Sequence, residues 1–174
     1  MLKHTFFTAL LTCSFIVGCN SDSKDSGADL DLIQPTSGEW TIITSGWTND
    51  DCNATQNLQQ PSSILLTDVV SPTFSVTFFD GDVRIGESSS VCTHTSNDIY
   101  DCEEFIHGFS YDDIDASVSM VGIASITVTS ETTISGIGDL TLTCTGSDCS
   151  YVAAATNTGE LPCGTTTNWT ATIE

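Results

Sequence analysis

Two kinds of side chain in this sequence have the chemistry for a reactive site: histidines set among many serines, and short runs of acids. His94 and His107 are the two histidines beyond the amino-terminal segment. A hydrolytic triad needs a nucleophile, a base and an orienting carboxylate within hydrogen-bond reach. No Gly-x-Ser-x-Gly elbow is present, and His94 falls near an expected hairpin tip, where an exposed histidine is the plain reading. Glu103-Glu104 and Asp112-Asp113 offer carboxylate pairs of the kind glycoside hydrolysis uses. Neighbours in a strand point to opposite faces, so these pairs read as solvated strand faces and loops. The acids best suited to a metal are Asp112, Asp113 and Asp115, which present several oxygens from one loop to a calcium ion. Asp80 and Asp82, and Asp98, Asp101 and Glu103, are further candidates, and none fits an EF-hand loop. No other cofactor and no enzymatic activity are expected.

The amino terminus carries a different kind of chemistry. Lys3 precedes an apolar run from Phe6 to Val17, followed by Gly18 and Cys19. The run is about 12 residues, roughly 18 Å as a helix, too short for a ~30 Å hydrocarbon layer. The order of charge, apolar core, small residue and cysteine resembles the signal peptide and lipobox of a bacterial lipoprotein, with Ile16-Val17-Gly18-Cys19 as its motif. That resemblance implies cleavage after Gly18, acylation of Cys19, and the lipid bilayer as a partner, since each buried methylene adds about 0.8 kcal/mol of membrane affinity. Asn20 after the cysteine resembles the outer-membrane pattern of Gram-negative lipoproteins. The expected organisation is a signal peptide over residues 1–18, a lipidated cysteine and acidic tether over 19–38, and a disulfide-bonded β domain over 39–174.

All 23 acidic residues follow Cys19 and only Lys24 and Arg84 oppose them there, which leaves a net charge of −21 on the mature chain. Nucleic acid needs phosphate neutralisation by Lys and Arg, so it is excluded as a partner. An anionic membrane face would also repel the domain, which leaves the acyl group to hold it. Of eight cysteines, Cys13 leaves with the signal and Cys19 is acylated. The remaining Cys52, Cys92, Cys102, Cys144, Cys149 and Cys163 form an even set in an exported chain, which reads as a disulfide framework. No Cys-x-x-Cys pair supports zinc.

From Glu39 onward the pattern is β. Val, Ile, Thr, Phe and Trp alternate with polar residues between Gly, Asn, Asp and Pro. Strands are expected around Trp40–Thr44, Ser63–Thr67, Phe74–Phe78, Val83–Ile85, Ser89–Thr93, Ile99–Phe105, Ala116–Gly122, Ile126–Val128, Thr132–Ile134, Leu140–Leu142 and Trp169–Ile173. Asp80-Gly81 marks a hairpin turn. Tyr151–Thr156 is the best short-helix candidate and Glu103–Gly108 a second. The fold class is therefore all-β: an antiparallel up-and-down barrel of about 8–10 strands, with a two-sheet sandwich as the alternative. Closure removes exposed edges and would pair the last strand with the first.

If Asn97 centres a hairpin, Cys92 faces Cys102, and closure brings Cys52 near Cys163. Cys144 then pairs locally with Cys149, against the competing pair Cys149–Cys163. Gly38-x-Trp40 resembles the lipocalin Gly-x-Trp, although no Thr-Asp-Tyr motif follows. That likeness implies a small exported lipoprotein of calycin-like shape. The expected function is a membrane-anchored, non-enzymatic envelope domain holding a small apolar ligand. The alternative is a structural or surface-interaction protein with a filled barrel and calcium on its loops. Which of the two applies depends on whether the interior is empty.

Overall fold

The long strands are written by alternation of period two. In Thr133–Thr145, Ile134, Gly136, Gly138, Leu140 and Leu142 are buried, while Ile137, Asp139 and Thr141 face water. The computed structural model describes residues 32–174 apart from residue 59, so Gly18 and Cys19 lie outside the described residues. The elements in order are β1 (Gly38–Thr48), α1 (Ala54–Asn57), β2 (Ser63–Val70), β3 (Thr73–Asp80), β4 (Val83–Ser96), β5 (Ile99–Cys102), β6 (Phe105–Ser110), β7 (Ser117–Ser130), β8 (Thr133–Thr145), α2 (Cys149–Thr156) and β9 (Cys163–Thr172).

Every described pairing is antiparallel, in the order β5-β4-β3-β2-β1-β9-β8-β7-β6. A further ladder of Ile99, Tyr100 and Asp101 against Thr127, Ile126 and Ser125 joins β5 to β7 and closes the ring. β5 and β6 lie one after the other along β7, so together they occupy one position of an eight-position up-and-down barrel. The barrel reading holds, and so does the pairing of the last strand with the first, where Thr41 to Thr48 runs against Thr172 to Thr166. The expected helix at Glu103–Gly108 is corrected: Phe105–Ser110 is strand β6. Phe105 and His107 sit opposite Gly122 and Met120 of β7, an alternation that extended backbone satisfies and one helical turn does not. α2 contains the expected helix at Tyr151–Thr156.

Three disulfides staple the barrel, in the pairs that the spacing predicts: Cys52–Cys163, Cys92–Cys102 and Cys144–Cys149. Asn97 and Asp98 turn the β4–β5 hairpin with positive φ, which puts Cys92 directly opposite Cys102. One end of the barrel is filled by Trp40, Ile64, Leu66, Phe74, Val76, Tyr100, Ile126, Val128, Ile134 and Ala171. The chain enters across this end. Thr36 N–H donates to Glu131 O at 2.9 Å, the Trp40 indole N–H to Thr36 O at 3.0 Å, and Ser37 Oγ to Leu66 O at 3.0 Å. Pro35 is buried there. The last residues assigned to the tether are therefore part of the folded body. Gly38 adopts φ +142°, where an added Cβ would lie 3.0 Å from Ile173 Cδ1, so the Gly38-x-Trp40 motif has a structural use.

Two rings occupy space that glycines leave. A Cβ on Gly122 would fall 2.0 Å from the Phe105 ring, and one on Gly136 would fall 2.1 Å from the Trp169 ring. Gly136→Ala should therefore destabilise the domain by about 1–3 kcal/mol, the usual cost of forcing extra volume into a packed core. Urea unfolding with the disulfides intact measures it, and an unchanged midpoint would show that the Trp169 ring does not seat on Gly136.

Candidate functional site

After Cys102 the barrel wall changes. Glu103 and Glu104 interrupt the strand, and β6 resumes along β7 with no ladder to β4 among the described residues. β4 in turn leaves β3 between Ile85 and Ser90, so Gly86 to Ser89 form a wide bulge. Inside this loosened wall lies a cavity of about 240 Å³. Its inner surface is formed by buried Phe78, Ala124, Gly138, Leu140, Thr167 and Trp169. Phe105, Ile85 and Met120 flank it, and Trp47, Leu58 and Pro61 come from the β1–β2 connection side. Asp80, Val83 and Arg84 stand at the rim, where Val83 is 69% exposed. The cavity lies between two apolar clusters: it shares Phe78, Ala124 and Trp169 with the filled end, and Leu58 and Met120 with the cluster around Cys52–Cys163.

The reason for the void is the size of the inward residues. An eight-stranded barrel is just wide enough to be filled by side chains or to hold one small ligand. At the filled end the inward positions carry Trp, Ile, Leu, Phe and Tyr. At the cavity three neighbouring strands carry Ala124, Gly138 and Thr167 side by side, too small to fill the space in front of them.

Polar groups on the cavity wall are few. Thr167 is 6% exposed, and no protein group among the described residues hydrogen-bonds its hydroxyl. His107 presents its ring from β6 and packs near Phe109, with centroids 5.6 Å apart. Arg84 is the one Lys or Arg after residue 24. Its Nη2 donates to Ser89 Oγ at 3.3 Å, and Ser89 Oγ lies 2.7 Å from Thr77 Oγ1, so the guanidinium is turned along the bulge and away from the inner wall. The inner surface is thus mostly apolar, with the His107 ring and the indoles of Trp47 and Trp169 as its other polar-bearing groups.

The other sequence-derived candidates do not converge. His94 sits on β4 with its ring edge-on to Tyr100 at 5.3 Å, in a different part of the barrel from the cavity, and its buried Nε2 has no partner among the described residues. Glu103 and Glu104 are exposed in the β5–β6 break. Asp101 accepts a hydrogen bond from Ser125 Oγ on the outer face of the closing ladder. Among the described residues no group of three or more His, Cys, Asp or Glu side chains is placed to hold a metal ion, Asp112, Asp113 and Asp115 included. Asp115 is committed elsewhere. Its Oδ2 accepts Ser147 N–H at 2.9 Å, while its own N–H donates to Asp148 Oδ2 at 2.9 Å, which locks the β6–β7 loop to the start of α2. The Ser147 backbone hydrogen bond, reinforced by the Ser147 side chain, holds the Asp115 carboxyl below the ordinary aspartate range.

Beside the cavity end, Asp50 does similar work. Burial alone would raise its pKa. Hydrogen bonds from the Thr55 and Ala54 backbone and from the Thr55 and Thr165 hydroxyls outweigh that and leave it lowered, and they fix the single turn of α1. Sequence reasoning missed Thr165 and Thr167. The signal was available two residues at a time backward from Ala171 and Trp169, where the inward face of β9 continues through both threonines.

Fold and site together define an up-and-down β-barrel, stapled by three disulfides, with a small internal apolar cavity near one end. Comparison with known protein families, with curated proteins and with solved structures finds no match to this chain.

Two outcomes follow for this region. Thr167→Val replaces an unpaired buried hydroxyl with a methyl of the same shape, so it should raise stability by about 1–3 kcal/mol in urea unfolding. A destabilised variant would mean that the hydroxyl is paired in solution. The Asp115 carboxyl has a folded pKa below its unfolded one, so its contribution is present above the unfolded pKa and is lost as pH falls through the folded value. Melting temperature followed from about pH 5 to pH 2 should fall less steeply for Asp115→Asn than for the parent, and parallel curves would refute the loop lock.

Proposed function

We propose that this chain is a lipid-anchored protein of the bacterial envelope whose β-barrel holds a small, largely apolar molecule and catalyses no reaction. The observation that carries the ligand-holding part is the cavity of about 240 Å³ walled by Phe78, Ala124, Leu140 and Trp169. Sites for drug-sized ligands run from about 300 to 1,000 Å³, so this one takes a single ring or a short chain segment. An apolar cavity of about 150 Å³ already accommodates benzene. The disulfides are compatible with an exported domain. The anchor rests on the lipobox-like Ile16-Val17-Gly18-Cys19.

A second reading, surface interaction, is favoured by one feature. Ile106, Ile123 and Ile137 are 48%, 48% and 54% exposed on neighbouring strands β6, β7 and β8. The β6–β7 and β7–β8 registers bring them onto one outer face beside Val121. This patch is modest beside those that mark a stable interface, so the cavity is the stronger lead.

Expression in a Gram-negative host tests the anchor. The parent chain should incorporate labelled palmitate and sediment with membranes, and Cys19→Ser should do neither. Continued membrane partition of Cys19→Ser would overturn the lipid-anchor reading. Native mass spectrometry of the soluble Cys19→Ser chain tests the barrel: a co-purifying small apolar molecule, absent from Ala124→Leu, is the expected result.

A further inference from the structure

The mouth of the cavity says which chemical class of ligand it takes. Asp80 ends β3 two residues beyond buried Phe78, so it falls on the inward side of the sheet, and it pairs with Val83 across the hairpin turn. Both residues line the void. The Asp80 carboxylate is partly buried, and it has no hydrogen bond or ion pair among the described residues. Arg84 does not neutralise it. The β3–β4 register sets Arg84 opposite Phe79, on the other side of the sheet from Phe78 and Ile85, and its Nη2 donates to Ser89 Oγ at 3.3 Å. The remaining hydrogen-bonding side chains of the wall are the His107 ring and the indoles of Trp47 and Trp169, while the Thr167 hydroxyl is sealed from the void. Of the lining residues, the one fixed charge on the inward side is therefore negative.

From this arrangement we propose that the cavity takes a small amphiphilic amine. Its apolar ring or short chain enters between Phe78, Leu140 and Trp169, and its protonated nitrogen is held at the mouth by the Asp80 carboxylate. The proposal rests on the ligand-holding reading above and deepens it. An ionised carboxylate makes its strongest hydrogen bonds to a charged donor. Aromatic rings lining the same void also favour a cation, and Phe78, Phe105, Trp47 and Trp169 supply them. An anion would instead meet Asp80 at the mouth, on a chain of net charge −20 whose field draws cations toward the rim. A neutral alcohol would gain the same apolar burial without the ion pair.

The test titrates 2-phenylethylamine, 2-phenylethanol and 3-phenylpropionate by isothermal calorimetry into the full chain carrying Cys19→Ser, so that no detergent competes. The three probes share a phenylethyl body and differ in the head group. The amine should bind roughly tenfold tighter than the alcohol, and the carboxylate more weakly than either. Asp80→Asn keeps the shape and removes the charge, so it should bring the amine down to the level of the alcohol. Asp82→Asn removes the same charge from the same turn and should keep the amine preference, which separates pairing at Asp80 from the field of the whole chain. Ala124→Leu should abolish binding of all three by filling the void. Equal affinity of amine and alcohol in the parent, tighter binding of the carboxylate, an amine preference that survives Asp80→Asn, or its equal loss in Asp82→Asn would overturn the amine assignment and leave the ligand-holding reading standing. No binding of any probe at millimolar concentration would overturn both. Undiminished amine binding by a folded Ala124→Leu variant would place the binding elsewhere and overturn the assignment.

Discussion

The ring of this barrel closes on three residue pairs. Ile99, Tyr100 and Asp101 of β5 meet Thr127, Ile126 and Ser125 of β7, and no longer ladder joins the two ends of the sheet. So short a seam would be an exposed edge in waiting without reinforcement. The reinforcement is local. Cys92–Cys102 ties β5 to β4 immediately beside the seam. The Tyr100 ring is buried against Phe74, with centroids 4.8 Å apart, and its hydroxyl donates to Ile33 O across the end of the barrel. Ser125 and Asp101 clasp the outer face. In the chain-entropy picture a ring of about 11 residues contributes roughly 3 kcal/mol, a sizeable share of the stability of a domain this size.

The cavity is the other consequence of that seam. Once the strand breaks at Glu103-Glu104, β6 ladders with β7 alone among the described residues, and over Val83 to Val91 β4 is left with only its interrupted β3 ladder. The wall is completed there by side chains instead of a ladder, chiefly the Phe105 ring seated on Gly122. On the opposite wall the Trp169 ring spreads over Gly136. Together with Phe78, which meets Trp169 nearly edge-on at 5.9 Å, these rings form a partition between the packed end and the open one. Above the partition the inward residues shrink to Ala124, Gly138 and Thr167, and nothing spans the barrel until the Cys52–Cys163 cluster. The cavity therefore has an aromatic floor and a cap held by the disulfide of longest span.

Much of this was legible in the chain. Alternation marked the strands, Asn97 marked the hairpin that aligns Cys92 with Cys102, and closure placed Cys52 by Cys163. The misreadings share a cause. Gly122, Gly136 and Gly138 look like strand breakers, so β7 and β8 read as separate short pieces. In the folded protein Gly122 and Gly136 are the positions where another strand's ring needs the room of a side chain. Glu103–Gly108 read as a helix because its local composition permits one, and only the pairing with β7 makes it extended. α1 left no periodic signal at all, since four residues held by the Asp50 carboxylate have no amphipathic period to show. The cavity was invisible for a simpler reason. Small inward residues matter only when their neighbours around the ring are also small, and that is a property of register across four strands.

The two ends of the barrel differ in a way that bears on use. Along β7 the buried residues shrink from Val128 and Ile126 at the packed end to Ala124 and Gly122 toward the cavity. The described chain enters at the stable end, where residues 33–37 lie against Tyr100, Trp40, Leu66 and Glu131. The rim of Asp80, Val83 and Arg84 belongs to the opposite end, one strand length away. Entry at the cavity end would have placed that segment across the rim. Entry at the packed end uses the same residues to cover the core and leaves the cavity rim clear. Local opening of β6, which has one paired edge and exposed Ile106 and Phe109, can then proceed without disturbing the closing ladder.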